Sequence, residues 1–121
     1  MLNCLFVGLG GFVGTVCRYL MSRLPVRAES GFPMITLFIN VLGAFCIGII
    51  AGLASKNANL SPNAVLFLKV GVCGGFTTFS AFSLETFALI QNGAHGTAIL
   101  YALLSVILCV AAVFGAQLLI R

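Results

Sequence analysis

The sequence predicts an all-α integral membrane protein with four transmembrane helices, and three observations support this prediction. Hydrophobic residues make up 61% of the 121 residues. Charged residues make up only 7%, whereas soluble domains carry about 25%, so the chain lacks the polar groups that a water-facing surface requires. The apolar residues also fall into four long runs, and one membrane crossing needs about 20 residues. These features exclude an ordinary soluble enzyme.

The four runs predict one membrane domain over residues 1–121, with helices at about 2–21, 34–54, 63–91 and 97–120. The first run has neither a basic start nor a small-residue cleavage site, so we expect a permanent helix rather than a signal peptide. The third run, if helical and straight, is about 43 Å long against a hydrocarbon core of about 30 Å. It therefore tilts steeply or is interrupted.

Charge counting predicts how the chain inserts. The basic residues are scattered singly, so no basic stripe is available to bind nucleic acid. Four crossings divide them three and three between the two membrane faces: Lys56, Lys69 and Arg121 on one, Arg18, Arg23 and Arg27 on the other. Because the positive-inside rule then has no bias to act on, we expect dual topology and an antiparallel homodimer with its two-fold axis in the membrane plane. The alternative is a local signal that overrides the count.

The third run contains the most unusual segment, GVCGGFTTFSAFSLE at residues 71–85. Gly71, Gly74 and Gly75 each weaken a helix by about 1 kcal/mol relative to alanine, and four hydroxyl residues follow: Thr77, Thr78, Ser80 and Ser83. Unwound backbone at membrane depth frees carbonyl groups, which ligate cations in transporters. The segment therefore predicts a third helix broken mid-membrane, with an ion site. The alternative is a kinked helix whose hydroxyls bond to its own carbonyls.

Residues on three runs are candidates for an anion path. Phe79 and Phe82 share one helical face, and a phenyl ring has a positive edge that can face an anion, although plain packing also explains this spacing. The amide of Asn40 can donate to an anion or to a neighbouring helix. Tyr101 and Ser105 form a polar stripe on the fourth run.

Two charged residues are expected to pair near one membrane face. Glu85 is the one acid inside the predicted spans, and Arg18 lies near the end of the first span that reaches the same face. A single charge at the centre of a membrane helix costs about 2.5–3.5 kcal/mol on insertion scales. We therefore expect Glu85 to pair with Arg18.

The string GGFTTFSAFSLE at residues 74–85 resembles the signature of the Fluc (CrcB-type) fluoride channels. The likeness covers the whole chain, including a glycine-rich first helix that ends in Arg18 and the pattern T-x-x-x-N-x-x-G at Thr36, Asn40 and Gly43. The resemblance implies an antiparallel homodimer in the bacterial inner membrane. Its two pores let cytoplasmic fluoride leave passively, which lowers fluoride toxicity. The implied partners are fluoride, a second copy of the chain and lipid, without nucleic acid.

The resemblance also implies the residues that carry this activity. A structural sodium ion at the dimer centre is held by the backbone carbonyls of Gly74 and Thr77. The implied pore residues are Asn40, Phe79, Phe82, Tyr101 and Ser105, and the neighbouring hydroxyls of Ser80 and Ser83 are further candidates. The chain departs from the family pattern at Ile35, Phe76, Ala81 and Cys109. Alanine at position 81 lacks a hydroxyl, so that anion contact is lost or moves to Ser80.

Three other functions compete with a channel. A small proton-coupled multidrug exporter is also four-spanning with dual topology, but it requires a carboxylate embedded in the membrane. The first span has none, and Glu85 lies well along the third. A non-transporting assembly subunit leaves the polar segment unexplained. An enzyme is not expected, because no nucleophile, base and acid occur together.

Overall fold

The computed structural model describes residues 1–57 and 59–121, and its regular elements in these ranges are all helices. Three crossings are single helices: α1 (Leu2–Ser22), α2 (Met34–Lys56) and α6 (His95–Ile120). The third crossing has four parts, which are α3 (Pro62–Val65), a π-helical segment (Leu66–Cys73), α4 (Gly74–Phe76) and α5 (Phe79–Gln91).

Four stretches are long and apolar enough to cross a membrane: Leu2–Ser22, Met34–Lys56, Pro62–Gln91 and His95–Ile120. The predicted all-α protein with four membrane helices is thereby confirmed. The turn before the last helix is tighter than predicted, because α6 begins at His95. Gly93, at φ 77°, ends α5 in a Schellman motif in which the Ala94 N–H donates to the Leu89 carbonyl at 2.8 Å.

The helices pack as two close pairs. α1 lies along the π-helical segment and α4, while α2 lies along α6. Glycines allow the first pair to touch through the backbone, since a methyl group at Gly71 would lie 2.7 Å from the Cα of Gly10. Similarly, a methyl group at Gly48 would lie 2.8 Å from the Cβ of Ala116 on α6. In lipid, helices associate through such close approach because apolar tails provide no hydrophobic drive.

The π-helical segment was not predicted from the sequence. It covers eight residues, Leu66–Cys73, and leads directly into the glycines of α4. π-Helical turns are rare and occur frequently at functional sites. Here the segment contains the contact with α1, where Gly71 meets Gly10, and it ends one turn before the helical geometry stops. The third crossing is therefore irregular over much of its first half.

We expect Gly71→Ala to destabilise the protein by about 1–3 kcal/mol, because the added methyl group overpacks the contact with α1. Gly8→Ala is the matched control, since nothing lies within 4 Å of a methyl group at that position, and it should stay within about 1 kcal/mol of wild type. Thermal unfolding in detergent, followed by the loss of monodisperse protein, measures the difference. Equal stability of the two variants would contradict the close packing of α1 on the third crossing.

Candidate functional site

Two consecutive residues between α4 and α5 have extended backbone. Thr77 lies at φ −79°, ψ 154° and Thr78 at φ −149°, ψ 116°. Thr78 is also the N-cap of α5, and its hydroxyl accepts a hydrogen bond from the Ala81 N–H at 3.1 Å. Threonine is favoured at this position because its oxygen satisfies an amide that lacks a helical partner. Helical geometry therefore stops at Phe76 and starts again at Phe79.

Asn40 on α2 binds the extended segment with both ends of its amide. Its Oδ1 accepts from the Thr78 N–H at 2.8 Å, and its Nδ2 donates to the Thr78 carbonyl at 3.1 Å. In a continuous α-helix the Thr78 N–H would instead donate to the carbonyl of Gly74. Asn40 thus replaces a helical partner and leaves the Gly74 carbonyl without its usual donor. One of its two amide protons remains for another acceptor.

A second carbonyl next to the interruption is bound from α1. The Nε of Arg18 donates to the Gly75 carbonyl at 3.1 Å, and the Thr15 hydroxyl lies 3.4 Å from the same oxygen. A hydrogen bond from a charged donor is stronger than one between neutral groups. Arg18 therefore stabilises the freed backbone.

The expected pairing of Arg18 with Glu85 is wrong within one subunit. Glu85 instead accepts one hydrogen bond at each carboxylate oxygen, from the Thr36 hydroxyl at 2.6 Å and from the Tyr101 hydroxyl at 3.0 Å. These donors come from α2 and α6, so the carboxylate ties three spans together near one membrane face. Neutral hydroxyls satisfy its oxygens without cancelling its charge.

A cavity of about 430 Å³ lies against the interruption. It brings together residues from four separate parts of the chain, including Asn40, Thr77, Phe79, Phe82 and Ser105. Ser105 is only 8% exposed, and its hydroxyl has no hydrogen-bond partner among the residues that the structure describes. Buried hydroxyls are usually satisfied, so this one is available to a ligand in the cavity.

The other predicted pore residues lie outside the lining of this cavity. Ser80 and Ser83 are exposed on α5, where Ser83 donates to the Phe79 carbonyl at 2.9 Å and Ser80 lies 3.2 Å from the Thr78 hydroxyl. Tyr101 is 0% exposed and contacts Phe82, with ring centroids 5.1 Å apart. It is adjacent to the cavity through that ring rather than through its own hydroxyl.

Three functional contacts were missed by sequence reasoning. The cap formed by Thr78 had a local signal, since a threonine between a broken helix and a new one is a typical N-cap. The bond from Arg18 to Gly75 had no local sequence signal, because the two residues are far apart in the sequence. The same holds for Phe32, which precedes α2 and contacts Tyr101 edge-on at 5.4 Å.

We expect Asn40→Leu to destabilise the protein by about 1–3 kcal/mol, because it leaves the Thr78 N–H and carbonyl without partners. Hydrogen exchange at the Thr78 amide should also become faster. Asn3→Leu, at an exposed position of α1, is the control and should change neither measurement. Unchanged exchange at Thr78 in the Asn40 variant would show that the side chain does not hold the segment.

Comparison with known proteins identifies the family of the chain. Residues 5–117 match the family model described as "CrcB-like protein, Camphor Resistance (CrcB)". Relatives named "Fluoride-specific ion channel FluC" include one from Azobacteroides pseudotrichonymphae genomovar. CFP2, 48% identical over 95% of this chain and 94% of the relative. Another, from Elusimicrobium minutum, is 51% identical over 89% and 85% of the two chains. A third, from Chlorobaculum tepidum, is 44% identical over 100% and 96%. The chain therefore belongs to the CrcB-like family.

Proposed function

We propose that this protein is a fluoride-selective channel that lets cytoplasmic fluoride leave the cell passively and so lowers fluoride toxicity. Hydrogen fluoride crosses a bilayer and ionises in a more alkaline cytoplasm, and the channel releases the trapped anion. The observation that carries the proposal is the cavity at the interruption. It combines an unpartnered buried hydroxyl, on Ser105, with the amide of Asn40 and two aromatic rings. The names of the relatives support the same conclusion.

The lining suits a small, strongly hydrated anion. Selectivity requires groups that replace the water lost on entering a narrow path. The free amide proton of Asn40 and the Ser105 hydroxyl are donors, and both residues line the cavity. The edges of Phe79 and Phe82 carry partial positive charge, which attracts fluoride without the tight binding that would slow its passage.

The aromatic rings extend this lining toward a membrane face. Phe79 and Phe82 are in contact at 5.3 Å between centroids, and Phe82 contacts Tyr101 at 5.1 Å. We propose that fluoride passes along these rings, with the hydroxyls of Ser80 and Ser83 as further donors on α5. Tyr101 contributes by holding Glu85, to which its hydroxyl donates.

We further propose that the active form is an antiparallel homodimer in the inner membrane. Phe79 is 77% exposed, and Gly74, Ser80 and Ser83 are also exposed on a single subunit. Irregular backbone is tolerated at membrane depth only where protein or a water-filled cavity covers it. A second copy provides that cover, and the equal division of basic residues between the two faces allows it to insert in the opposite orientation.

A sodium ion at the dimer centre fits the residues at the interruption. The Gly74 carbonyl has lost its helical donor to Asn40, and nothing lies within 4 Å of a methyl group built at Gly74, so the backbone is open on that side. Carbonyl oxygens are suitable ligands for a hard cation. We propose that the carbonyls of Gly74 and Thr77 from both subunits hold it, and that its positive charge offsets the cost of bringing an anion into a low dielectric.

The ring proposal predicts that Phe79→Leu and Phe82→Leu reduce fluoride efflux strongly while folded protein still accumulates. Leucine keeps most of the bulk but removes the positive ring edge. The measurement is fluoride efflux from liposomes that contain equal amounts of purified protein. Phe12→Leu, which changes an exposed ring on α1, is the control and should conduct normally.

Unchanged efflux in both leucine variants would remove the rings from the anion path and leave Asn40 and the hydroxyls as its donors. If wild-type protein releases no fluoride at all, the channel function itself is wrong. Packing alone predicts a different pattern, in which stability falls by about 1–3 kcal/mol but the folded protein conducts normally.

The dimer proposal predicts that two lysines added to the N-terminus force most chains into one orientation, because the basic residues are otherwise balanced. Such a biased chain should lose fluoride efflux when expressed alone. It should regain efflux when expressed together with a chain biased the opposite way. Normal conduction by the biased chain on its own would show that the subunits do not pair in opposite orientations.

A further inference from the structure

Glu85 creates an electrostatic problem for an anion channel. Its carboxylate lies one and a half to two helical turns from the end of α5, beside Tyr101 and Phe82, which border the proposed path. Both of its oxygens accept hydrogen bonds from neutral hydroxyls, so its negative charge is not cancelled by these partners. Fluoride that approaches from this membrane face is repelled unless a positive charge lies close by.

Two cavities open beside this carboxylate, under the connection between α1 and α2. One, of about 270 Å³, is lined by Arg27, Phe32, Thr36 and Glu85, among others. The other, of about 380 Å³, is lined by Ser30, Glu85 and Asn92. Among the described residues that line these two cavities, Arg27 is the one cation. Its guanidinium is positively charged.

We propose that Arg27 forms the positive side of an anion-attracting mouth next to Glu85, where fluoride collects before it moves along the rings. The inference rests on the proposed channel function. It assigns Arg27 a role in attracting the anion, which is distinct from the backbone contact that Arg18 makes at Gly75. In an antiparallel dimer, each membrane face has one such mouth.

The part of the connection that directly follows Arg27 is held by specific contacts. Gly31, at φ 77°, closes a turn in which its N–H donates to the Ala28 carbonyl at 3.0 Å. Phe32 then packs edge-on against Tyr101, with ring centroids 5.4 Å apart. Gly31 and Phe32 line the smaller cavity together with Arg27 and Glu85.

The magnitude of the effect follows from Coulomb's law. A unit charge about 8–10 Å from an anion, in an effective dielectric of about 30–60, changes the local concentration of that anion by about three- to tenfold. The effect depends on ionic strength, because the screening length is about 30 Å at 0.01 M and about 3 Å at 1 M. A residue that merely supports the fold does not show this dependence.

The test is fluoride efflux from liposomes with wild-type protein and four variants, measured at 0.01 M and 1 M of a salt with a bulky anion. At low salt we expect Arg27→Gln to conduct about three- to tenfold less than wild type, and Arg27→Lys to conduct nearly as well as wild type. Arg27→Glu should lose more than Arg27→Gln. Arg23→Gln is the matched control: it removes the same charge from the same connection, but Arg23 lines neither cavity. At 1 M salt the differences should fall below about twofold.

Equal efflux for the Arg27→Gln and Arg23→Gln variants at low salt would overturn the proposal, and so would a loss that persists unchanged at 1 M salt. Wild-type protein provides a second test that needs no variant. Its fluoride efflux, measured at a low fluoride concentration, should decrease as the salt concentration is raised. An absence of fluoride efflux from wild type is a different result, because it rejects the channel function rather than the role of Arg27.

Discussion

The two hydrogen bonds between the Asn40 amide and the backbone of Thr78 are the contact on which the rest of the site depends. They take the Thr78 N–H away from the helix, so the helical geometry of the third crossing does not continue through this residue. An unpartnered backbone group is costly in lipid, and Asn40 satisfies two such groups at once. The cap formed by the Thr78 hydroxyl and the bond from Arg18 to Gly75 complete this arrangement.

The same contact accounts for the chemistry that we propose. Asn40 donates one amide proton to the Thr78 carbonyl, and this bond orients the amide. The second amide proton is free, and Asn40 lines the cavity. Phe79 is the first residue of α5, directly after its N-cap Thr78, and Phe82 follows one turn later. Donors and aromatic rings thus surround one space.

The position of the interruption on a single subunit supports the homodimer that we propose. Its polar segment lies at the surface of the four-helix unit, with Phe79 largely exposed. Lipid offers no hydrogen bonds to polar backbone groups, and in the proposed dimer the second copy of the chain covers this surface. The close contact between Gly10 on α1 and Gly71 packs the first half of the third crossing against α1.

The four membrane helices and the family can be predicted from the sequence alone, because hydropathy and the string at residues 74–85 are local properties of the chain. The sequence also indicated that the third helix is irregular, since glycines and hydroxyls in a long apolar run disfavour a continuous helix. The partners of the charged and polar groups, by contrast, depend on the tertiary packing of the helices. Arg18 and Glu85 were expected to pair near one membrane face, yet each binds groups on other helices instead. Side-chain partners depend on how helices rotate about their axes and pack, and composition does not fix that rotation.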